Sequence, residues 1–479
     1  MLPGRAKAVI PVSLLPYSTV TRMANLSILR RTAPLAAALL LAGCGLSNEL
    51  VGGGGNARLG EPKPQAPVAG FVVTPVPEAS VAAHEILQKG GNAVDAAVAA
   101  GFALGVTLPS RAGLGGGAVC LIDMPHDEGG TGRPVALLFP PGTPRGSQAG
   151  AARPAAVPQM ARGLLAMQAR YGALPLATDM APAATMAGGG VPVSRALAAD
   201  LGVVGDALLA DPAARNVFAS PAGQLLQAGE TLRQPDLAAT LARLQSGGVL
   251  SFYQGHLADS LLAGAAEAGA GLTATDLRAD AARYATPDIV HALGADIALP
   301  PTAAGMGTRA AIEALASAPD DLAGAGRDAL AAAAAARHVT GFGALPASAG
   351  YAIADAKGGV VGCATTMNNL FGTGRIATGT GILLAASPKR VSPPLLSVAL
   401  ATTDGAFRAV TTGAGQAGAP LAAGAAMAES LRAGQAMPHP VPAPGRANAI
   451  ACSGTLPGAP KSCAAVADPR GAGLAIGSR

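Results

Sequence analysis

Tryptophan is absent from the 479 residues, and with 8 Phe and 5 Tyr the aromatic share is only 3%. A core without large rings has to be filled by Ala, Val, Leu and Gly, which brings backbones close together and suits packed α/β layers. Charge is scarce as well, at 13% of residues with a net +5, and the Lys and Arg residues are scattered. No basic stripe forms, so a nucleic-acid partner is excluded. The 6 His are dispersed and none of the 5 Cys has metal-ligand spacing, so neither a metal nor another cofactor is indicated. What remains is a long chain, half of it apolar, able to bury a large core as one continuous α/β unit or as two or three domains. Ala and Gly bias makes short motif matches frequent by chance, so only long gap-free patterns carry weight.

From Met23, an alternative start, Arg30 and Arg31 precede an apolar run from Pro34 to Ala42. A charged segment followed by so short a run reads as a secretory signal rather than a membrane span. The run ends in Leu41-Ala42-Gly43-Cys44, which resembles the lipobox where a signal is removed and the new N-terminal Cys44 is acylated. The competing reading is an ordinary signal peptide with an incidental cysteine. A Gly- and Pro-rich stretch follows to residue 68, a tether that cannot build a core. The expectation is a lipid-anchored protein of a bacterial cell envelope, facing the periplasm or the exterior and held to the membrane through lipid on Cys44.

Cys120 and Cys363 sit in apolar runs that read as buried strands, where a free cysteine behaves as a small hydrophobe. Cys452 and Cys463 flank the turn-rich SGTLPGAPKS, which a disulfide would close in an oxidising compartment.

Ala79 to Lys89 has helical spacing and stops at Gly90-Gly91. Asn92 and Asp95 then form an N-cap and N3 pair opening a second helix, with small residues on every face, that runs to Pro109. Gly115 to Gly117 feed an apolar strand, as if the backbone lay against something that leaves no room for a Cβ. A phosphate cradle belongs between a strand and a helix, so a nucleotide site is rejected. Helical periodicity marks Met160 to Tyr171, Ser194 to Leu201, Leu237 to Leu244 and His256 to Gly269. Period-two runs around Lys357-Gly358-Gly359 and Asp404-Gly405 predict hairpins. Helices and hairpins in separate blocks suggest stacked layers.

Two stretches together resemble the γ-glutamyltranspeptidase family of N-terminal-nucleophile hydrolases: HEILQKGGNAVDAAVAAGFALGVTLPSRAGLGGG, and GYAIADAKGGVVGCATTMNNLFGTG, which aligns without gaps. Tyr171-Gly172, GETLRQPDL, FYQG, GLTATDL, Pro300-Pro301 and the terminal ADPR fall in the family's order, so the resemblance runs from about residue 69 to the C-terminus. It implies a four-layer αββα sandwich, with a large-subunit-like part over 69–347 and a small-subunit-like part over 348–479 sharing one core, after a signal segment at 1–43 and a tether at 44–68. It also implies a precursor that cuts itself to free a hydroxyl nucleophile, whose own α-amine, with a pKa near 8, acts as base. The aligned nucleophile is Ser348. Thr366 matches the family's second threonine and Asn368 a substrate-binding asparagine. On their own these three also read as a loop serine and polar residues at a strand end.

The resemblance breaks at the pocket. A planar Arg fork suits a substrate α-carboxylate, but Pro140 stands where the family has its arginine, and Lys389 or Arg390 where it has the aspartate for the ammonium. Leu396 and Ser397 replace a serine pair. Gln416 and Ala417 replace the Gly-Gly whose N–H groups hold the oxyanion, a role that survives if the turn is kept. Ser348-Ala349-Gly350 replaces Thr-Thr-His, and the stretch from Gly305 to Ser348 is shortened. The leading expectation is an amide hydrolase or acyl transferase acting on a small amide or peptide that is not zwitterionic, or on one whose acidic group faces Arg390. The alternative is a catalytically silent binding or scaffold lipoprotein.

Overall fold

The two turns at Lys357-Gly358-Gly359 and Asp404-Gly405 reverse the chain as their glycines require, with Gly358 at φ 98° and Gly405 at φ 76°, in the left-handed region open to glycine. The hairpins they close form the middle of two stacked sheets. The computed structural model describes residues 70–477 apart from 147, 280, 341–346 and 438–440, within a unit that begins at Pro67. The signal segment, the lipobox with Cys44 and the tether lie outside the described residues.

In chain order the strands are β1 (Gly70–Thr74), β2 (Gly117–Asp123), β3 (Val135–Phe139), β4 (Val191–Pro192), β5 (Thr231–Leu232), β6 (Arg283–Ala285), β7 (Asp288–Ala292), β8 (Ala295–Leu299), β9 (Ser348–Asp355), β10 (Val360–Thr366), β11 (Ile376–Ala377), β12 (Ile382–Leu383), β13 (Ser397–Thr403), β14 (Ala406–Ala414), β15 (Arg446–Leu456), β16 (Cys463–Val466) and β17 (Leu474–Ile476). One sheet has the order β17-β1-β9-β10-β2-β3-β6, the other β16-β15-β14-β13-β8-β7. The helices are α1 (Pro77–Gln88), α2 (Ala93–Thr107), α3 (Pro109–Ala112), α4 (Met160–Tyr171), α5 (Leu176–Gly189), α6 (Arg195–Leu209), α7 (Pro212–Phe218), α8 (Pro235–Tyr253), α9 (His256–Glu267), α10 (Ala274–Ala279), α11 (Ala303–Ser317), α12 (Leu322–Arg337) and α13 (Ala419–Ala433). Among the described residues, none of them is long and apolar enough to cross a membrane.

Alternation along the strands builds the layers. Val73, Leu121, Ala352, Ala354, Val360 and Ala364 of the first sheet meet Val398, Leu400, Phe407, Val410 and Ile450 of the second in an inter-sheet core. The opposite face of the first sheet, with Tyr351, Ile353 and Val361, packs under α1, α2, α4, α5, α8 and α9. The second sheet's outer face is covered by α11 and α13, with α12 beyond. This is the αββα sandwich, and its inter-sheet core draws on residues before and after Ser348.

Helix α2 shows why the composition is so thin. All 15 of its residues are buried, so only small side chains let neighbours close on every face. Its start is the reciprocal cap read from the sequence: Asn92 Oδ1 accepts from the N–H groups of Val94 and Asp95, and Asp95 accepts from the Asn92 N–H. The glycine run is equally dictated by contact. A Cβ on Gly115, Gly116 or Gly117 would stand 2.1, 2.3 or 2.1 Å from a backbone oxygen of Leu383, Thr366 or Phe139.

One expectation about cysteine is corrected. Cys120 and Cys363 are not free: they face each other on β2 and β10 and form a disulfide. The two apolar runs gave no sign of this, because the pairing follows from strand register across 243 residues. Cys452 and Cys463 are also bridged, across β15 and β16.

Asp179, on α5, is fully buried, with its carboxyl against that of Asp95. Burial first, and the neighbouring Asp95 carboxylate second, push its pKa up to about 8. A carboxyl whose folded pKa is raised costs no stability below its unfolded value, near pH 4. Its cost grows as pH rises towards 8, because only the unfolded chain ionises freely. Asp179→Asn is therefore expected to melt with the wild type near pH 4 and progressively above it towards pH 8.5. Parallel thermal melts across that range check this, and a constant difference would refute it.

Candidate active site

Ser348 opens β9, immediately after Ala347, with Thr366 of β10 and Gly117 of β2 in the same cross-strand row. Both hydroxyl residues lie on the inter-sheet face, in phase with Ala352 and Ala354 on β9 and with Ala364 on β10. Ser348 is fully buried, and its Oγ accepts the Gly415 N–H at 3.3 Å. The Thr366 hydroxyl donates to the Ala347 carbonyl at 2.8 Å and accepts the Asn368 N–H at 2.8 Å. The carbonyl on the N-terminal side of Ser348 is thus already polarised by a fixed donor.

Gly415 has φ 104° and Gln416 φ 53°, so two consecutive left-handed residues swing the chain out of β14 into a short 3-10 turn over Gln416–Gly418. That turn brings Gln416 and Ala417 next to the residue whose N–H touches Ser348. Gln416 is buried with its Oε1 unpartnered. Gln416 and Ala417, read from the sequence as the oxyanion turn, thus lie in a turn that opens at Gly415.

Ser348, Ala349 and Gly350 border a cavity of about 300 Å³, with Leu108, Thr412, Asn448, Asp468, the Gly471 to Gly473 stretch and four arginines, Arg111, Arg195, Arg446 and Arg470. A Cβ on Gly350 would stand 2.4 Å from Thr412 Oγ1, which explains why the position has no side chain: the space is taken by β14. Asn448 fixes this strand end by donating to the Gly350 carbonyl at 2.8 Å.

Arg111 was not singled out in the sequence. Its Nη1 lies 3.5 Å from the Ser348 carbonyl oxygen, and its fork grips Asp200 of α6, through Nε at 2.8 Å and Nη2 at 2.5 Å. Ser110 adds a third bond to Asp200 at 2.7 Å. On the far wall Asp468 accepts from Nε and Nη2 of Arg470 and from the Ala447 N–H. Burial works against its charge, yet these bonds together outweigh it and hold the carboxyl below its ordinary range. The sequence signal for Asp468 and Arg470 was the terminal ADPR. Arg111 and Asp200 had none, being brought together only by the docking of α6.

Pro140 is exposed just beyond β3, with its backbone against Gly117 in the row of Thr366 and Ser348. The position is close to the site and carries no charge. Arg390 borders a second cavity, with Arg153, Asn369, Thr373 and Ala386, and is not among the residues that border the Ser348 cavity. Lys389 donates to the Gly146 carbonyl. Asn368 is buried and donates to the Ala386 carbonyl at 2.9 Å, so its side chain ties two loops together. Ser397 is buried in β13 with its hydroxyl unpartnered, and Leu396 is buried beside it. Neither borders the Ser348 cavity. Among the described residues no cluster of His, Cys, Asp or Glu has the arrangement of a metal site.

Two sheets between helical layers, with a hydroxyl at the start of a central strand, define the N-terminal-nucleophile hydrolase fold. The likeness to a cephalosporin acylase from Bacillus halodurans, at TM-score 0.68 and 21% identity over 88% of this chain and 98% of that one, shows the same fold. The sequence profile of gamma-glutamyltranspeptidase matches residues 79–325, and the chain belongs to that family. It is 32% identical to the glutathione hydrolase proenzyme of Bacillus subtilis over 231 residues, 43% of this chain and 37% of that protein. The glutathione hydrolase proenzyme of Escherichia coli is 32% identical over 214 residues, 42% of this chain and 37% of that protein. The matched region thus spans under two fifths of the length of these curated relatives.

Proposed function

We propose that this protein is an amide hydrolase or acyl transferase that frees Ser348 as its nucleophile by cutting the Ala347–Ser348 bond. The observation that carries this is the Thr366 hydroxyl donating to the Ala347 carbonyl, where charge develops when that carbonyl is attacked. The Ser348 Oγ bonds to the Ala347 carbonyl carbon, the peptide C–N bond breaks, and the nitrogen takes the hydroxyl proton. Water then cleaves the ester, leaving an Ala347 carboxylate and Ser348 with a free amine and hydroxyl. That amine, with a pKa near 8, takes the hydroxyl proton for attack on a substrate amide and returns it to the departing amine. Gly415, Gln416 and Ala417 supply the turn beside the reacting oxygen.

A γ-glutamyl head group is a poor fit. Pro140 offers no charge, Arg390 borders another cavity, and Asp468 is already held by Arg470. Export to the cell envelope and a lipid on Cys44 are part of the same reading. The signal-like N-terminus supports them, as do the two disulfides, which suit an oxidising compartment.

The test is the intact mass of the full-length protein purified from a bacterial envelope, beside Ser348→Ala. Two fragments in the wild type, one beginning at Ser348, and a single chain in the variant are expected, with the N-terminal fragment carrying an acyl mass on Cys44. An uncut wild type would favour a silent binding or scaffold protein, and an unmodified N-terminus would remove the anchor.

A further inference from the structure

The cavity beside Ser348 has an unbalanced charge. Of its bordering residues, Arg111, Arg195, Arg446 and Arg470 are cationic and Asp468 alone is acidic. Arg470 is spent on Asp468. Arg111 is spent on Asp200, which is 4% exposed and lies behind the cavity wall. Arg195, at the start of α6, and Arg446, at the start of β15, form no ion pair among the described residues; Arg446 only donates to the Arg470 carbonyl. Both are exposed at the rim. Two guanidinium charges are thus left over at the mouth of a recess bordered by the nucleophile, and among the described residues that border it no acidic group is left over to match them.

We infer that this site, read as above with Ser348 as nucleophile, takes amides that carry a carboxylate without an adjacent ammonium, and that Arg195 and Arg446 select them. A guanidinium fork matches a carboxylate in plane and charge, and a recess lined by one sign of charge concentrates the field on its ligand. An ammonium beside that carboxylate meets two cations and no free acid. A neutral amide gains nothing from either arginine. The carboxylate sits on the acyl half or on the amine half of the substrate, and the two are separated by the probes below.

The experiment measures binding to the full-length wild-type protein as purified, with release of aniline or 4-aminobenzoate followed in parallel and each titration completed before any is released. Four anilides are titrated calorimetrically: butyryl-anilide, glutaryl-anilide, γ-glutamyl-anilide, and N-butyryl-4-aminobenzoate, which moves the carboxylate to the amine half. One of the two purely anionic probes is expected to bind about tenfold more tightly than butyryl-anilide, the size of two partly exposed fork contacts. That advantage is expected to exceed the one shown by γ-glutamyl-anilide and to shrink as ionic strength rises to about 0.5 M. Adding Arg195→Gln and Arg446→Gln is expected to abolish the preference while leaving butyryl-anilide binding unchanged. Equal binding of all four, no binding at all, or a preference that survives the double substitution overturns the inference. Because these readings need no turnover, they are read apart from whether the wild type cuts itself, which is what the mass measurement decides.

Discussion

Thr366→Val is expected to lengthen the half-time of cleavage at Ser348 about a hundredfold. Removing one fixed donor to a developing oxyanion typically costs a factor of about 10² to 10³, and the Thr366 hydroxyl is such a donor to the Ala347 carbonyl at 2.8 Å. Valine keeps the side chain's shape, so packing around the buried strand end is little disturbed. It does orphan the buried Asn368 N–H, which now bonds the Thr366 oxygen, at a cost of about 1–3 kcal/mol. Thr366→Ser keeps the hydroxyl and is expected to restore both rate and stability. A time course of chain cleavage on freshly expressed protein, with thermal melts alongside, reads the two effects separately. Valine cleaving as fast as threonine would remove Thr366 from the chemistry.

Arg111→Met is expected to destabilise the fold by about 3 kcal/mol, near the lower end for breaking a buried pair from one side. The Arg111 side chain is 18% exposed and Asp200 4%. The loss comes chiefly from stranding the Asp200 carboxylate, which keeps only the Ser110 hydroxyl among its present side-chain partners. Asp200→Asn made together with Arg111→Met removes the stranded charge and is expected to recover most of the loss. A double-mutant cycle by denaturant unfolding measures the coupling. A single-variant cost under about 1 kcal/mol would mean that the pair behaves like a solvent-exposed one.

Much of the fold was legible because its signals are local. The Asn92 and Asp95 cap, the Met160–Tyr171 helix and both glycine-bearing hairpins depend on residues a few positions apart, and each forms where the pattern puts it. Helix lengths were less legible. The run read as Ser194 to Leu201 has Ser194 as its cap and continues to Leu209, since burial against neighbours sustains a helix past the point where its own periodicity fades. The glycine run was recognised as a close approach, but what it approaches, the backbone of Leu383, Thr366 and Phe139, comes from distant segments.

The candidate site divides the same way. An unbroken frame from Ser348 to Gly374, aligned with the family, was enough to nominate Ser348 and Thr366, and the hairpin that carries both sets them in one cross-strand row. Arg390 was nominated by its place in the alignment, and the structure puts it at a cavity that Ser348 does not border. Sequence by itself determined the caps, the turns and the family, and nominated Ser348 as nucleophile, since these rest on neighbours or on one continuous strand pair. Only the tertiary structure decided that Cys120 meets Cys363 across 243 residues, that Arg111 meets Asp200 across 89, and that Arg195 and Arg446 border the cavity of Ser348. Such meetings depend on strand order and helix docking, which no local pattern of residues encodes.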